Sequence, residues 1–184
     1  KEWEHIAAEA SRRGTRLHAN NEDMLNGKSP RFQPENAIER GMFTNGWQAA
    51  EYFKANFKII GAEIMVFSTD VNISGTIDFL MMDAAGTIYI MDWKQNKRIR
   101  PDNAYGEFML APIEHLPHSE QIHYELQLSL YEFILRSRRY IRADQNVVRA
   151  LVHVTPEGWQ IIPCADRSRE IAEMLVKHLT VVPF

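Results

Sequence analysis

The stretch Gly75-Thr76-Ile77-Asp78-Phe79-Leu80-Met81-Met82, followed by Asp83-Ala84-Ala85-Gly86 and Thr87-Ile88-Tyr89-Ile90-Met91-Asp92-Trp93-Lys94, decides the fold. Both arms are rich in β-branched and aromatic residues, and the four residues between them form a turn. Gly86 can take the left-handed conformation that closes a type I turn with a bulge, so the stretch reads as a β-hairpin. With Asp83 facing Thr87, every facing pair sums to 170, which sets Asp78 opposite Asp92 and turns Lys94 to the same face two residues on. Leu80, Met82, Ile88 and Ile90 share that face, while Ile77, Phe79, Met81, Tyr89, Met91 and Trp93 form the other. A hairpin apolar on both sides belongs to a sheet covered on both sides.

Two carboxylates opposed in apolar surroundings repel each other and need compensation. A divalent cation between Asp78 and Asp92 supplies it, with the Lys94 ammonium ready for a developing negative charge or an attacking water. This arrangement, Ile77-Asp78 followed by Asp92-Trp93-Lys94, resembles the signature of the PD-(D/E)XK nucleases. The chain departs from the pattern by carrying Ile77 where the family name has proline, which leaves the acidic ligand in place.

Two further segments strengthen the resemblance. Apolar residues from Trp3 to Leu25 recur at helical spacing, and Gly14 and His18 lie one turn apart on that helix. A glycine weakens a helix by about 1 kcal/mol against alanine, a cost understandable where something approaches the helix closely. Arg13-Gly14-Thr15-Arg16-Leu17-His18 resembles the glycine-to-histidine segment of the RecB-type branch, in which the histidine is a metal ligand. Downstream, Ser119 can cap a helix from Glu120 to about Arg139 whose stripe of Ile122, Leu126, Leu130, Phe133 and Ile134 faces a core. Tyr124, Gln127 and Tyr131 lie beside that stripe. Gln127 and Tyr131 match the Gln-x-x-x-Tyr pair of the same branch, which lies at the cleft and is associated with DNA contacts and positioning of the catalytic residues. The matching segments span residues 12 to 131 in family order.

Elsewhere the sequence predicts short helices at Glu35 to Phe43 and Gly46 to Phe57. A strand follows at Ile59 to Ser68, then strands at Val147 to Val154 and Gly158 to Pro163. A last helix follows Asp166, with Ile171, Met174, Leu175 and Leu179 inward. Glu63 lies on the first of these strands. RecB-type relatives often carry a glutamate there, though an exposed strand residue is the plainer reading. The stretch after Lys97, with Pro101, Gly106, Pro112 and Pro117, has no period and is long enough to be a lid or binding loop. His153 and His178 fall in structural elements without a catalytic assignment.

Composition fits one domain: 184 residues with 45% hydrophobic content can bury a full core. No apolar run approaches the ~18 residues of a membrane span, and the single cysteine, Cys164, excludes an internal disulfide or a cysteine zinc cluster, which together suit a reducing cytoplasm. The chain begins at Lys1, as a processed chain or a piece of something larger would. A formal charge of -3 argues against binding nucleic acid by overall basicity. Local basic clusters remain at Arg12, Arg13 and Arg16, at Lys94, Lys97, Arg98 and Arg100, and at Arg136, Arg138, Arg139 and Arg142.

The expectation is therefore an α/β domain over residues 1–184, with a central mixed sheet of about five strands flanked by helices. The resemblance implies a metal-dependent, exonuclease-like DNA nuclease. His18, Asp78, Asp92 and the Trp93 carbonyl would hold Mg²⁺ or Mn²⁺, Lys94 would orient or deprotonate the water, and Gln127 and Tyr131 would assist. A restriction-type or junction-resolving endonuclease and a non-catalytic nucleic-acid-binding module are the competing readings. Strand preference and a helicase or recombination partner stay open.

Overall fold

A computed structural model describes the backbone of residues 2–181 and the side chains of residues 7–179. The side chains of Trp3 and Ile6, predicted for the apolar stripe of the first helix, lie outside the described residues. Two helices, α1 (Glu2–Leu25) and α2 (Ala37–Asn56), precede three strands, β1 (Lys58–Ser68), β2 (Ile73–Met82) and β3 (Ile88–Lys94). Then come α3 (Glu120–Ser137), β4 (Val147–Thr155), β5 (Gly158–Cys164) and α4 (Ser168–Val181). The five strands form one sheet in sequence order, antiparallel except for the parallel β3–β4 pair, which the α3 crossover connects. This is the expected mixed α/β sheet.

Both sheet faces are covered. Leu17, Met24, Met42, Ala50 and Phe53 of α1 and α2 pack on Phe79, Met81, Met91 and Trp93, with Phe79 and Trp93 stacked at 4.9 Å. On the other face, Leu128, Ile134 and Leu135 of α3 cover Leu80, Ile88, Ile90 and Leu151. A fully buried side chain of this kind contributes about 1.5–3 kcal/mol, so these two layers hold the hairpin in place.

The hairpin register follows from its turn. Gly86, at φ 85, donates its N–H to the Asp83 carbonyl at 3.1 Å, and the Asp83 N–H reaches the Thr87 carbonyl at 3.2 Å. The Asp83 carboxylate accepts from the N–H groups of Ala85 and Thr87, both at 2.9 Å. The ladder then runs Met82 with Ile88, Met81 with Tyr89, Leu80 with Ile90 and Phe79 with Met91, the predicted register.

At its far end the sheet departs from simple alternation. Ala62 packs with the α1/α2 layer and Ile64 with the α3 layer, although residues two apart on a strand should share a face. Their partners on β2, Phe79 and Ile77, divide in the same way. Ile77 therefore does not share the face of Phe79 as its spacing predicts. The inversion is centred on Glu63, whose φ of 52 is left-handed, and on Asp78 across from it.

Three smaller corrections concern the helices. Residues 37–56 form one helix, not two: Gly46 marks a close approach of α2 to Leu17 and Asn21 of α1, while Asn45 donates to the Thr155 and Pro156 carbonyls. Helix α3 ends at Ser137, just short of the predicted Arg139. On α4, Ile171 and Leu175 are buried, but Met174 and Leu179 are exposed, because the small cluster that α4 joins, with Val71, Ile113, Leu116, Ile122 and Leu126, spans a single stripe.

Candidate active site

The inverted level of the sheet aligns acids on three adjacent strands. Ala62 with Phe79 and Ile64 with Ile77 bracket Glu63 and Asp78, and Phe79 with Met91 places Asp78 and Asp92 next in the β2–β3 register. The backbone ladder stops at Phe79 and Met91, and beyond it the Asp78 carboxylate accepts the Trp93 N–H at 2.7 Å. A side chain has taken over a main-chain donor. This holds β2 to β3 while fixing the Asp78 carboxylate at the strand end.

Helix α1 brings His18 to the same carboxylate, Nδ1 lying 3.3 Å from Asp78 Oδ2. One turn earlier, Gly14 gives room to Gln95, the residue after β3: a Cβ on Gly14 would lie 2.2 Å from Gln95 Nε2, which donates to the Ala10 carbonyl at 2.8 Å. The close approach suggested by the helical glycine is thus the end of β3, and it ties His18 to the strand carrying Asp92 and Lys94. Ligand atoms of His18, Glu63 and Asp78 all lie within 4.8 Å of one another.

Asp92 stands beside this group, 3% exposed, with Lys94 Nζ 2.5 Å from its Oδ2. Burial and the charge of Asp78 push its pKa up to about 6 against the pull of Lys94. Burial, followed by Asp78, likewise raises the pKa of Glu63. For His18 and Lys94, burial opposes the charged form, yet Asp78 raises the first and Asp92 the second, so both are held toward their cationic states. Three acids face one lysine and one histidine. Oxygen donors with one imidazole suit a hard divalent cation, and the mutual repulsion is what such a cation relieves. The residues present fit the metal that the sequence implied.

On α3, Gln127 Nε2 donates to Tyr131 Oη at 2.8 Å, and the Tyr131 ring lies where a Cβ on Gly75 would be, 2.4 Å from its Cε1. The predicted pair is therefore assembled against β2, three residues before Asp78. The α3 residue that meets the lysine is Tyr124, with Lys94 Nζ 4.5 Å from its ring centroid and its hydroxyl donating to Asn96 Oδ1 at 3.2 Å. His153 Nε2 lies 2.6 Å from the Asn96 carbonyl, so this histidine fastens the chain just after the lysine. Tyr124 lies on the helix face that its spacing predicts, and Glu63 is the exposed strand residue of the plainer reading, with its carboxylate nonetheless beside His18 and Asp78. The glutamate on the first strand was the available signal.

Arg13 and Arg139 apart, the basic clusters divide by their ion pairs. Arg12 and Arg16 pair with Glu35 and Glu39, Arg136 with Glu132, Arg138 with Asp70 and Arg142 with Asp144. Lys97, Arg98 and Arg100 are exposed and their side chains form no ion pair among the described residues, the Arg100 backbone N–H donating to Glu120 Oε2 at 3.3 Å.

A mixed five-stranded sheet that aligns acids from adjacent strands beside a lysine and a helix-borne histidine defines an α/β domain with a donor set suited to a divalent cation. A family model of the PD-(D/E)XK nuclease superfamily matches residues 2–178, and the chain belongs to that superfamily. Among solved structures, the chain is similar to a "Putative exonuclease" from Eubacterium rectale, with 14% identity and a TM-score of 0.47. The match covers 94% of this chain and 65% of that one, so the chain spans a little under two thirds of that neighbour's length. No curated protein matches. Among the described residues, no helix is long and apolar enough to cross a membrane.

Proposed function

We propose that the chain is a divalent-metal-dependent deoxyribonuclease of exonuclease-like type, acting as one nuclease domain over residues 1–184. The observation that carries this reading is the alignment of Glu63, Asp78 and Asp92 across three strands, with His18 and Lys94 as the neighbouring cations. His18, Asp78, Asp92 and the Trp93 carbonyl hold Mg²⁺ or Mn²⁺, and Glu63 joins them as a further ligand. When bound, the cation supplies positive charge to the phosphate and acidifies a water. Lys94, held protonated by Asp92, orients the attacking water and neutralises charge on the phosphate as the transition state forms. The water oxygen bonds to phosphorus, the bond to the 3′ oxygen breaks, and the phosphate remains on the 5′ end of the product. Gln127 and Tyr131 position the strand from α3.

End-labelled linear and circular DNA, single- and double-stranded, incubated with Mg²⁺, Mn²⁺ or EDTA, tests this directly. Release of label from linear DNA with either metal, none in EDTA and none with Asp92→Asn is the expected pattern. Circles cut as fast as linear DNA would replace the exonuclease reading with an endonuclease. No cleavage of any substrate would reject the nuclease reading.

A further inference from the structure

We propose that the arm after Lys94 binds single-stranded nucleic acid through one unpaired base, seated in the cavity between the arm and the start of α3, with adjoining phosphates on Lys97 and Arg98. The inference rests on the nuclease reading and adds a subsite to it. The path begins at Lys94, whose ammonium lies on Tyr124, and continues through Asn96, the hydrogen-bond partner of Tyr124. Asn96, Lys97, Arg98, Arg100 and Glu120 then line a concavity of about 520 Å³. It adjoins a second, of about 310 Å³, where Arg100 and Glu120 recur alongside Tyr105, His118 and His123.

The two concavities differ in chemistry. The first sets three cationic side chains, none ion-paired among the described residues, against the single carboxylate of Glu120, a net positive lining that suits phosphates. The second contains Asp102 as well as Glu120, and two carboxylates repel a phosphate. What it offers is ring surface: Tyr105 is 89% exposed, and His118 and His123 meet edge to face at 4.8 Å. Flat rings beside acidic acceptors suit a nucleobase, which presents a face for stacking and amino groups for hydrogen bonding.

The cavity is also held in shape. Asn103 Nδ2 donates to the His118 carbonyl at 2.7 Å, Ser119 Oγ to the Pro101 carbonyl at 3.1 Å, and the Gln121 N–H to the Arg100 carbonyl at 3.1 Å. The arm is thereby fastened to the beginning of α3, and binding need not first order it. In a duplex the face of each base is covered by its neighbours and its edge by its partner, so the occupant is an unpaired base.

The test uses the full chain and has two arms. Binding of a fluorescein-labelled single-stranded oligonucleotide with Mg²⁺ is measured by anisotropy in the Lys94→Ala protein, alone and with Tyr105→Ala or His123→Ala added. Each ring variant should raise Kd about tenfold, as loss of one stacking partner does. The pair Lys97→Ala and Arg98→Ala should reduce the salt slope by about 1.4, two single-strand phosphate contacts. In the second arm, the wild-type protein cuts oligonucleotides carrying one abasic residue at successive positions. Cleavage should fall about tenfold when the abasic residue occupies one fixed distance from the cut. Cleavage with a flat abasic scan and unchanged Kd in both ring variants overturns the subsite and leaves the nuclease reading standing. No cleavage of any substrate in Mg²⁺ or Mn²⁺ by folded wild-type protein removes both.

Discussion

Two sets of acids in this molecule are treated in opposite ways, one buried on α3 and one at the sheet end, where Asp78 and Asp92 are buried and Glu63 is exposed. On α3, Glu132 lies between Arg136, at 2.7 Å, and Arg149, and Glu125 is held by Arg167 at 2.6 Å and by Gln121 Nε2 at 3.0 Å. Each of those carboxylates has its own guanidinium. At the other set, Glu63, Asp78 and Asp92 share one ammonium and one imidazole. Arginines can be placed wherever the fold needs a buried acid neutralised. Among the described residues no arginine pairs with Glu63, Asp78 or Asp92, and the proposed cation is what would balance them.

The comparison breaks most visibly in activity. Asp78→Asn, Asp92→Asn and Lys94→Ala should each reduce single-turnover cleavage by about a thousandfold or more while the protein stays folded, because the three side chains act as one unit. Substantial turnover by purified Asp92→Asn protein would remove the assignment. In the other set the effect falls on stability. Glu132→Gln takes from Arg149 and Arg136 the carboxylate they share, leaving Arg149, among the described residues, only Asp166 at 3.5 Å, and should destabilise the fold by about 3 kcal/mol in urea titrations, without abolishing cleavage at low temperature. Equal effects of the two kinds of substitution on stability would erase the distinction.

Gln127→Ala and Tyr131→Phe should have a smaller effect, lowering kcat/KM for DNA about tenfold while calorimetry shows unchanged metal affinity, since this pair touches β2 at Gly75 rather than the acids. Wild-type cleavage by both variants would reduce the pair to packing. The least effect expected is on pH dependence. In the metal-free protein Asp92 has a pKa of about 6, above its ordinary value near 3.8, so its native-state penalty is absent below the lower value and complete above the upper one. His18, also raised, acts in the same direction. Stability in EDTA should therefore increase by about 1 kcal/mol between pH 7.5 and 5.5, and Asp92→Asn should lose most of that rise in thermal melts.

The sequence made the hairpin legible because its signals are local. Period-two alternation and a glycine at the one left-handed turn position set the register to the residue. Gly14 carried a real signal as well, since a glycine inside a helix asks for a neighbour, and Gln95 is that neighbour. Glu63 is exposed, as its place on the strand suggests, but its left-handed backbone, which sets it beside His18 and Asp78, has no signal in a sequence that reads as ordinary strand. The same inversion moved Ile77 to the α3 side, which strict alternation does not allow. Gly46 misled in α2 because a glycine beside asparagine reads equally as a helix break or as a helix contact. Tyr124 and His153 act through Asn96, a loop residue whose position depends on the tertiary fold.

The shortage of positive charge around Glu63, Asp78 and Asp92 can be measured without any substrate, by thermal melting of the wild-type protein and of the Asp78→Asn/Asp92→Asn double variant, each in EDTA and in Mg²⁺ or Mn²⁺. At ten times Kd, the cation should stabilise the wild type by about 1.4 kcal/mol, a rise of roughly 3–6 °C for a domain of this size. The double variant should show no such shift and should melt above the wild type in EDTA, because the repulsion is gone. Equal metal-induced shifts in the two proteins, or a double variant that melts lower in EDTA, would contradict the account.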